Sequence, residues 1–148
     1  MANFLTMYAS KTDAQLGINA LALPAPSYSS AKQTSSTLVN SGRSAYNGEV
    51  YGQRVGTRNL AKIEIVWKYL TSAQWAGIQQ KILSGEQGFY IWIKYFDMES
   101  ASFKCRKFYS GDRTATPFKL NQTTKEVTSW LDCTVNFIDT GAEEATIA

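Results

Sequence analysis

Residues 27–59 limit more than any other stretch how this chain can fold. They are rich in Ser, Thr, Gly and Asn and poor in aliphatic side chains, whereas the segments after them are dense in Trp, Tyr, Phe and Ile. Such a stretch cannot offset its own ordering cost, about 1–2 kcal/mol per residue, by burying apolar surface. It holds Lys32, Arg43, Arg54 and Arg58 against Glu49 alone, so it carries the whole net charge of +3 and leaves the rest of the chain neutral. The chain therefore divides into a basic polar arm and an aromatic core. That division suits contact with a macromolecular partner better than work on a small molecule.

A chain of 148 residues with 44% apolar side chains can bury one real core. We read a single domain over 1–148, with its core at about 16–139 and flexible termini at 1–15 and 140–148. No apolar run approaches the ~20 residues needed to span a bilayer. The start, Met1 to Tyr8, lacks the cationic and then apolar pattern of a secretory signal. Cys105 and Cys133 form no metal motif, and each falls on the apolar phase of a strand-like run. They read as small buried hydrophobes in a protein made in a reducing cytoplasm.

The periodicity is mostly that of strands. Leu16, Ile18 and Ala20 read as a short strand ended by Pro24 and Pro26. The arm reads as a long polar hairpin or loop pair, punctuated by Gly42, Gly48, Gly52 and Gly56 and needing a neighbour to settle it. Ile63, Ile65, Trp67 and Tyr69 alternate with Lys62, Glu64 and Lys68, the pattern of a half-buried antiparallel strand. Thr71 and Gln74 have capping-box spacing and open a helix over about 72–84, with Trp75, Ile78 and Ile82 on one face and Gly85 as its cap. The run 89–96 is apolar on both faces, as in a strand covered on both sides or meeting another subunit. Phe103, Cys105 and Tyr109 mark the next strand. Val127, Ser129, Leu131, Cys133, Val135 and Phe137 form one face of the last.

Residue types for catalysis are sparse. The chain has no histidine, which removes the commonest general base and metal ligand. It has no phosphate-binding loop, dinucleotide fingerprint or nucleophile elbow. Asp97 and Glu99 read as a solvated turn. Gly111, Asp112 and Arg113 read as a structural turn, with Asp112 accepting local backbone hydrogen bonds and Arg113 pairing with a neighbour. Trp67, Trp75, Trp92 and Trp130 fall on core phases. A sugar-binding module would expose two or more of them; an assembling protein would bury them. We therefore expect no enzyme, no cofactor and no metal.

For the arm, three readings stand: nucleic-acid contact through clustered cations, contact between subunits, and a solvated loop. Contact with protein ranks first. Lys32, Arg43, Arg54 and Arg58 are the candidate contact residues, joined by Tyr90 and Trp92 from the two-sided strand.

The order of the pieces carries a resemblance. Leu16-Gly17-Ile18-Asn19 is followed by Pro24-Ala25-Pro26-Ser27. Gly42-Arg43 leads to Gly48 and then Arg54-Val55-Gly56. A strand ends at Trp67, Leu70-Thr71 opens a helix, and Phe108-Tyr109-Ser110-Gly111-Asp112-Arg113 precedes a last strand carrying Trp130. Over about 16–139 this resembles a family of small tail proteins of phages and prophages of Gram-positive bacteria, encoded near the tape-measure and baseplate genes. Where that family tends to have Asn-Gly after the first strand, this chain has Asn19-Ala20. The resemblance implies a structural protein of the virion, made in the host cytoplasm, that forms a ring with copies of itself, six in the usual case, and meets neighbouring tail proteins. It implies no small-molecule substrate and no membrane, and contact with nucleic acid only by passage through a tail lumen. The expected fold is α+β and mainly β, an antiparallel sandwich or barrel with one flanking helix and the long polar arm. A carbohydrate- or nucleic-acid-binding β-module is the alternative.

Overall fold

The computed structural model describes residues 4–26, 31–56 and 58–146. The arm positions 27–30 and 57 lie outside them, Tyr28 included, as do 1–3 and 147–148. In chain order the elements are β1 (Leu5–Tyr8), α1 (Lys11–Leu16), β2 (Leu21–Ala22), β3 (Ala31–Ser36), β4 (Val39–Arg43), β5 (Val50–Arg54) and β6 (Leu60–Thr71). There follow α2 (Ser72–Leu83), β7 (Tyr90–Asp97), β8 (Ser102–Ser110), β9 (Thr114–Leu120) and β10 (Val127–Asp139). The fold is α+β and mainly β, with every strand pairing antiparallel. One sheet has the order β2-β1-β7-β8-β10-β6-β3, with β9 also on β10, and β4-β5 forms a second, two-stranded sheet.

The large sheet curls towards closure. Gln33 on β3, the last strand in the order, reaches the end of β7. It donates to the Phe96 carbonyl at 3.0 Å and accepts from the Met98 N–H at 2.8 Å. Trp67 Nε1 on β6 donates to the Pro24 carbonyl, just past β2, at 2.8 Å. Between these ties, Ile63, Ile65 and Trp67 meet Ile91, Ile93, Tyr95, Phe108, Val135 and Phe137 in one core. The helix α2 closes one side with Trp75, Ile78 and Ile82. Its N-terminus carries the capping box of Thr71 and Gln74. Its C-cap is Ser84, not Gly85; a Cβ at Gly85 would stand 1.8 Å from the Tyr90 carbonyl oxygen.

One break in β10 reassigns a face. Asp132 has a left-handed φ of 52°, which an L-residue adopts only where the surroundings hold it. The pairing of β9 with β10 shifts register at the same place. Beyond it, Trp130 packs on the core opposite buried Leu70, and Tyr69, read as inward, stands half exposed against Phe118.

Much of both terminal segments expected to be flexible is held in the fold. All four residues of β1 are buried between β2 and β7. Leu5 and Met7 enter the main core, and Tyr8 joins Ala14, Trp92, Cys105 and Ala145 in a second, smaller one. A four-residue run buried on both faces has no alternation to read, which is why it escaped notice. The expected strand at Leu16–Ala20 is instead the end of α1 and a bend through Asn19, at φ 52°. At the other end, the Ala145 N–H donates to the Cys105 carbonyl at 2.9 Å.

The arm divides in two. Its first strand, β3, belongs to the main sheet, paired along β6 from Ala31↔Ile65 to Ser36↔Leu60, so this part settles without a neighbour. The rest is the β4-β5 ribbon, which continues the β3-β6 hairpin across a joint. There the pair Ser36↔Leu60 is followed by Val39↔Arg54, so one strand has more residues between the pairs than the other. This is a large bulge, and bulges redirect a strand. Arg58 in the bulge turns back into the barrel and grips Asp139 with both arms of its guanidinium, Nη2 to Oδ1 at 3.0 Å. The same Nη2 donates to the Ala142 carbonyl at 2.7 Å. The fully buried Asp139 carboxylate also accepts from the N–H groups of Ala61 and Gly141.

Arg58→Ala leaves that carboxylate buried without its counter-charge. Breaking a buried pair this way costs about 3–5 kcal/mol. Urea unfolding should show a loss near the lower bound, because Arg58 keeps some of its side chain in water, with Arg58→Lys losing less. A loss under about 1 kcal/mol, typical of an exposed pair, would remove this bond from its central place.

Candidate assembly interface

The β4-β5 ribbon has two faces and no core. Pleating places Val39, Ser41 and Arg43 with Val50, Gly52 and Arg54 on one face, and Asn40 and Gly42 with Tyr51 and Gln53 on the other. The Tyr51 ring lies flat across the ribbon over Gly42, where a Cβ would meet its hydroxyl at 2.6 Å. Leu38, Val39, Val50, Tyr51 and Val55 remain about half exposed or more, and Tyr46 at the tip is 98% exposed. An isolated two-stranded hairpin is marginal in water even with a covered face.

The ribbon's root is nevertheless well held. Asn59 accepts from Thr37 Oγ1 at 2.8 Å and from Arg54 Nη2 at 2.6 Å, and its amide donates to Glu99 at 2.9 Å. Ser35 donates to the same Glu99 carboxylate. Glu99 sits in the β7-β8 turn, so the root is tied to that turn, beside the contact of Gln33 with the end of β7. The Asp139 bond and burial act on Arg58 in opposite senses; the bond is the larger and raises its pKa above the ordinary value.

The candidate contact residues scatter. Arg43 and Arg54 lie exposed on one ribbon face, Arg43 donating to the Gly48 carbonyl at 2.8 Å. Lys32 stands 73% exposed on β3, 4.0 Å from Glu64. Glu64 is held more closely by Lys62 at 2.9 Å, a hydrogen bond that lowers its carboxyl pKa. Arg58 is spent inside the subunit, as above. Trp92 is buried too, because α1 and the chain end cover the outer face of β7; it is not free to meet another subunit. Tyr90 is half-buried between the Phe89 ring and the Lys107 ammonium, which is 4.4 Å from its centroid.

The Gly-Asp-Arg turn also splits. Arg113 ties it to α2 through Gln79 Oε1 at 2.7 Å and closes it on Ser110 Oγ at 2.9 Å. The Gly111 N–H donates to the Asn136 carbonyl. Asp112 is exposed and makes no hydrogen bond among the described residues, so the expected local bond is not there. Asp97, expected in solvent, is buried and accepts from Ser100 and the Glu99 N–H in its own turn. Arg106 lies near it and donates to the Tyr95 hydroxyl at 2.8 Å, whose pKa is raised by burial.

Sequence reasoning missed Gln33, Asn59 and Asp139. A polar Asn or Gln gives no sign of its partners. Asp139 did leave one: it continues the inward phase of Val135 and Phe137, where a carboxylate needs a cation. Three tryptophans, Trp67, Trp75 and Trp92, are buried and Trp130 is partly so, which leaves no exposed tryptophan platform for a sugar. No grouping of acidic residues and cysteines able to hold a metal occurs among the described residues. No protein-family model, curated protein or solved structure matches the chain.

Both cysteines are free and buried. Burial pushes the Cys105 thiol up to about 12 and raises Cys133 as well. The folded chain keeps these protons where an unfolded one releases them above about 9.0. The thiols' contribution to stability is therefore complete below that pH and is lost as pH rises towards 12. At pH 8 neither thiol should react with a disulfide reagent until the chain is unfolded. Fast labelling of the native protein would contradict their burial.

Proposed function

We propose that this chain is a structural subunit of a phage tail that assembles with copies of itself into a ring, at the tube end or baseplate, and uses the β4-β5 ribbon to reach its neighbour. The single observation that carries the reading is a two-stranded ribbon with exposed apolar side chains on both faces, set on a firmly tied root. Full burial of a Val or Tyr contributes roughly 1.5–3 kcal/mol. A few such side chains, multiplied around a closed symmetric assembly, hold it firmly. The unpaired edges of β4 and β5 add backbone hydrogen bonds wherever a neighbour's strand lies alongside. The resemblance to small tail proteins supplies the virion context, and the ribbon supplies a physical reason for assembly.

The test replaces Val39–Arg54 with a short turn joining Leu38 to Val55. The barrel should keep its circular dichroism and its cooperative melt, because the ribbon shares no strand pairing with the large sheet. Native mass spectrometry and negative-stain images should show rings for the full chain and monomers for the variant. A full chain that stays monomeric at high concentration and beside its tail neighbours overturns the reading. If the variant assembles normally but loses salt-dependent binding to DNA, the ribbon is a nucleic-acid element through Arg43, Arg54 and Tyr46.

A further inference from the structure

Between β3 and β1 lies an apolar cleft of about 220 Å³, lined by Phe4, Leu5, Ala31, Ile63, Tyr95 and Phe96, with Lys32 and Gln33 at its polar side. Leu5, Ile63 and Tyr95 form a floor that reaches the main core. Phe4 and Phe96 at the rim are each about half exposed. Nothing among the described residues pairs with the outer edge of β3. At this place the Gln33 side chain does what a strand's backbone would, meeting both the Phe96 carbonyl and the Met98 N–H.

We propose that this cleft receives the ribbon tip of a neighbouring copy, with Tyr46 in the cleft and Glu49 against Lys32. The inference rests on the self-assembly reading and names its contact. Three observations select the occupant. The volume is below the ~300 Å³ usual for a small-molecule pocket. It is larger than the ~150 Å³ apolar cavity that accepts one benzene-sized ring. Tyr46 is such a ring, almost wholly exposed among the described residues at the ribbon tip. Its hydroxyl would face the Lys32 and Gln33 side of the cleft. The charges match: Glu49 is the sole acid of the basic arm and stands three residues from Tyr46, and Lys32 is an exposed cation whose nearest carboxylate, Glu64, is already engaged by Lys62. Tip and cleft are different surfaces, so the contact is head-to-tail, the kind that makes a ring where the rotation from copy to copy closes.

Cysteine pairing tests it, because the native thiols are buried. Mixed Lys32→Cys and Glu49→Cys variants should give a disulfide-linked dimer under mild oxidant, and the double variant a ladder ending at the ring. Charge exchange gives an independent readout. Lys32→Glu and Glu49→Lys should each weaken assembly about tenfold or more, and the two together should restore it. Both residues are exposed, so folding is not at stake. Rings that form without the cross-link and without rescue overturn this contact and leave self-assembly standing; the cleft then serves another tail protein. Monomers throughout overturn both.

Discussion

The bidentate bond between Arg58 and Asp139 is the constraint on which the rest of the structure depends. It joins the bulge at the root of the ribbon, the end of the longest strand and the segment after it at Ala142 in one place. It sits in the joint between the pairs Ser36↔Leu60 and Val39↔Arg54, where the main sheet gives way to the ribbon. Asn59 and Glu99 then hold the other strand of the root. Polar bonds, not apolar packing, aim the ribbon, and this leaves its apolar side chains for something outside the subunit.

The same division of labour appears at the β3 edge. A barrel that closed fully would have no edges to protect. Here β3 ends the large sheet with an edge that no described residue pairs, and the Gln33 side-chain amide ties it to the end of β7. The result is a cleft floored by core residues and an exposed strand edge, beside a ribbon whose own edges are open. On the assembly reading these two unfinished features complete each other between copies. Arg106 links buried Asp97 and Tyr95 to the partly exposed Glu144 at the end of the β7-β8 hairpin side of the sheet.

Much of the core was legible because its signals are local. Ile63, Ile65 and Trp67 alternate with charged residues, and Trp75, Ile78 and Ile82 follow a capping box; both patterns state their faces outright. What failed did so for identifiable reasons. β1 is buried on both faces and too short for a period. Trp92 showed that β7 is covered twice, but not that α1 and Ala145 supply the cover. Asp132 shifts the phase of β10 through a backbone conformation that residue type does not announce. For the interface, the arm's charge was visible and its use was not. Lys32, Arg43 and Arg54 stay at the surface, whereas Arg58 has the same composition around it and a buried carboxylate 81 residues away as its partner. Pairs at that separation cannot be read from spacing.

Hydrogen exchange on the protein below and above its assembly concentration tests the central claim most directly. The amides of β6 and β10 should be protected in both states, since they pair within the subunit. Those of the β4-β5 ribbon should exchange rapidly in the free subunit, having no core to hold them, and become protected on assembly. Equal, strong protection of the ribbon in both states would show that it belongs to the monomer's own stability, and would contradict the account.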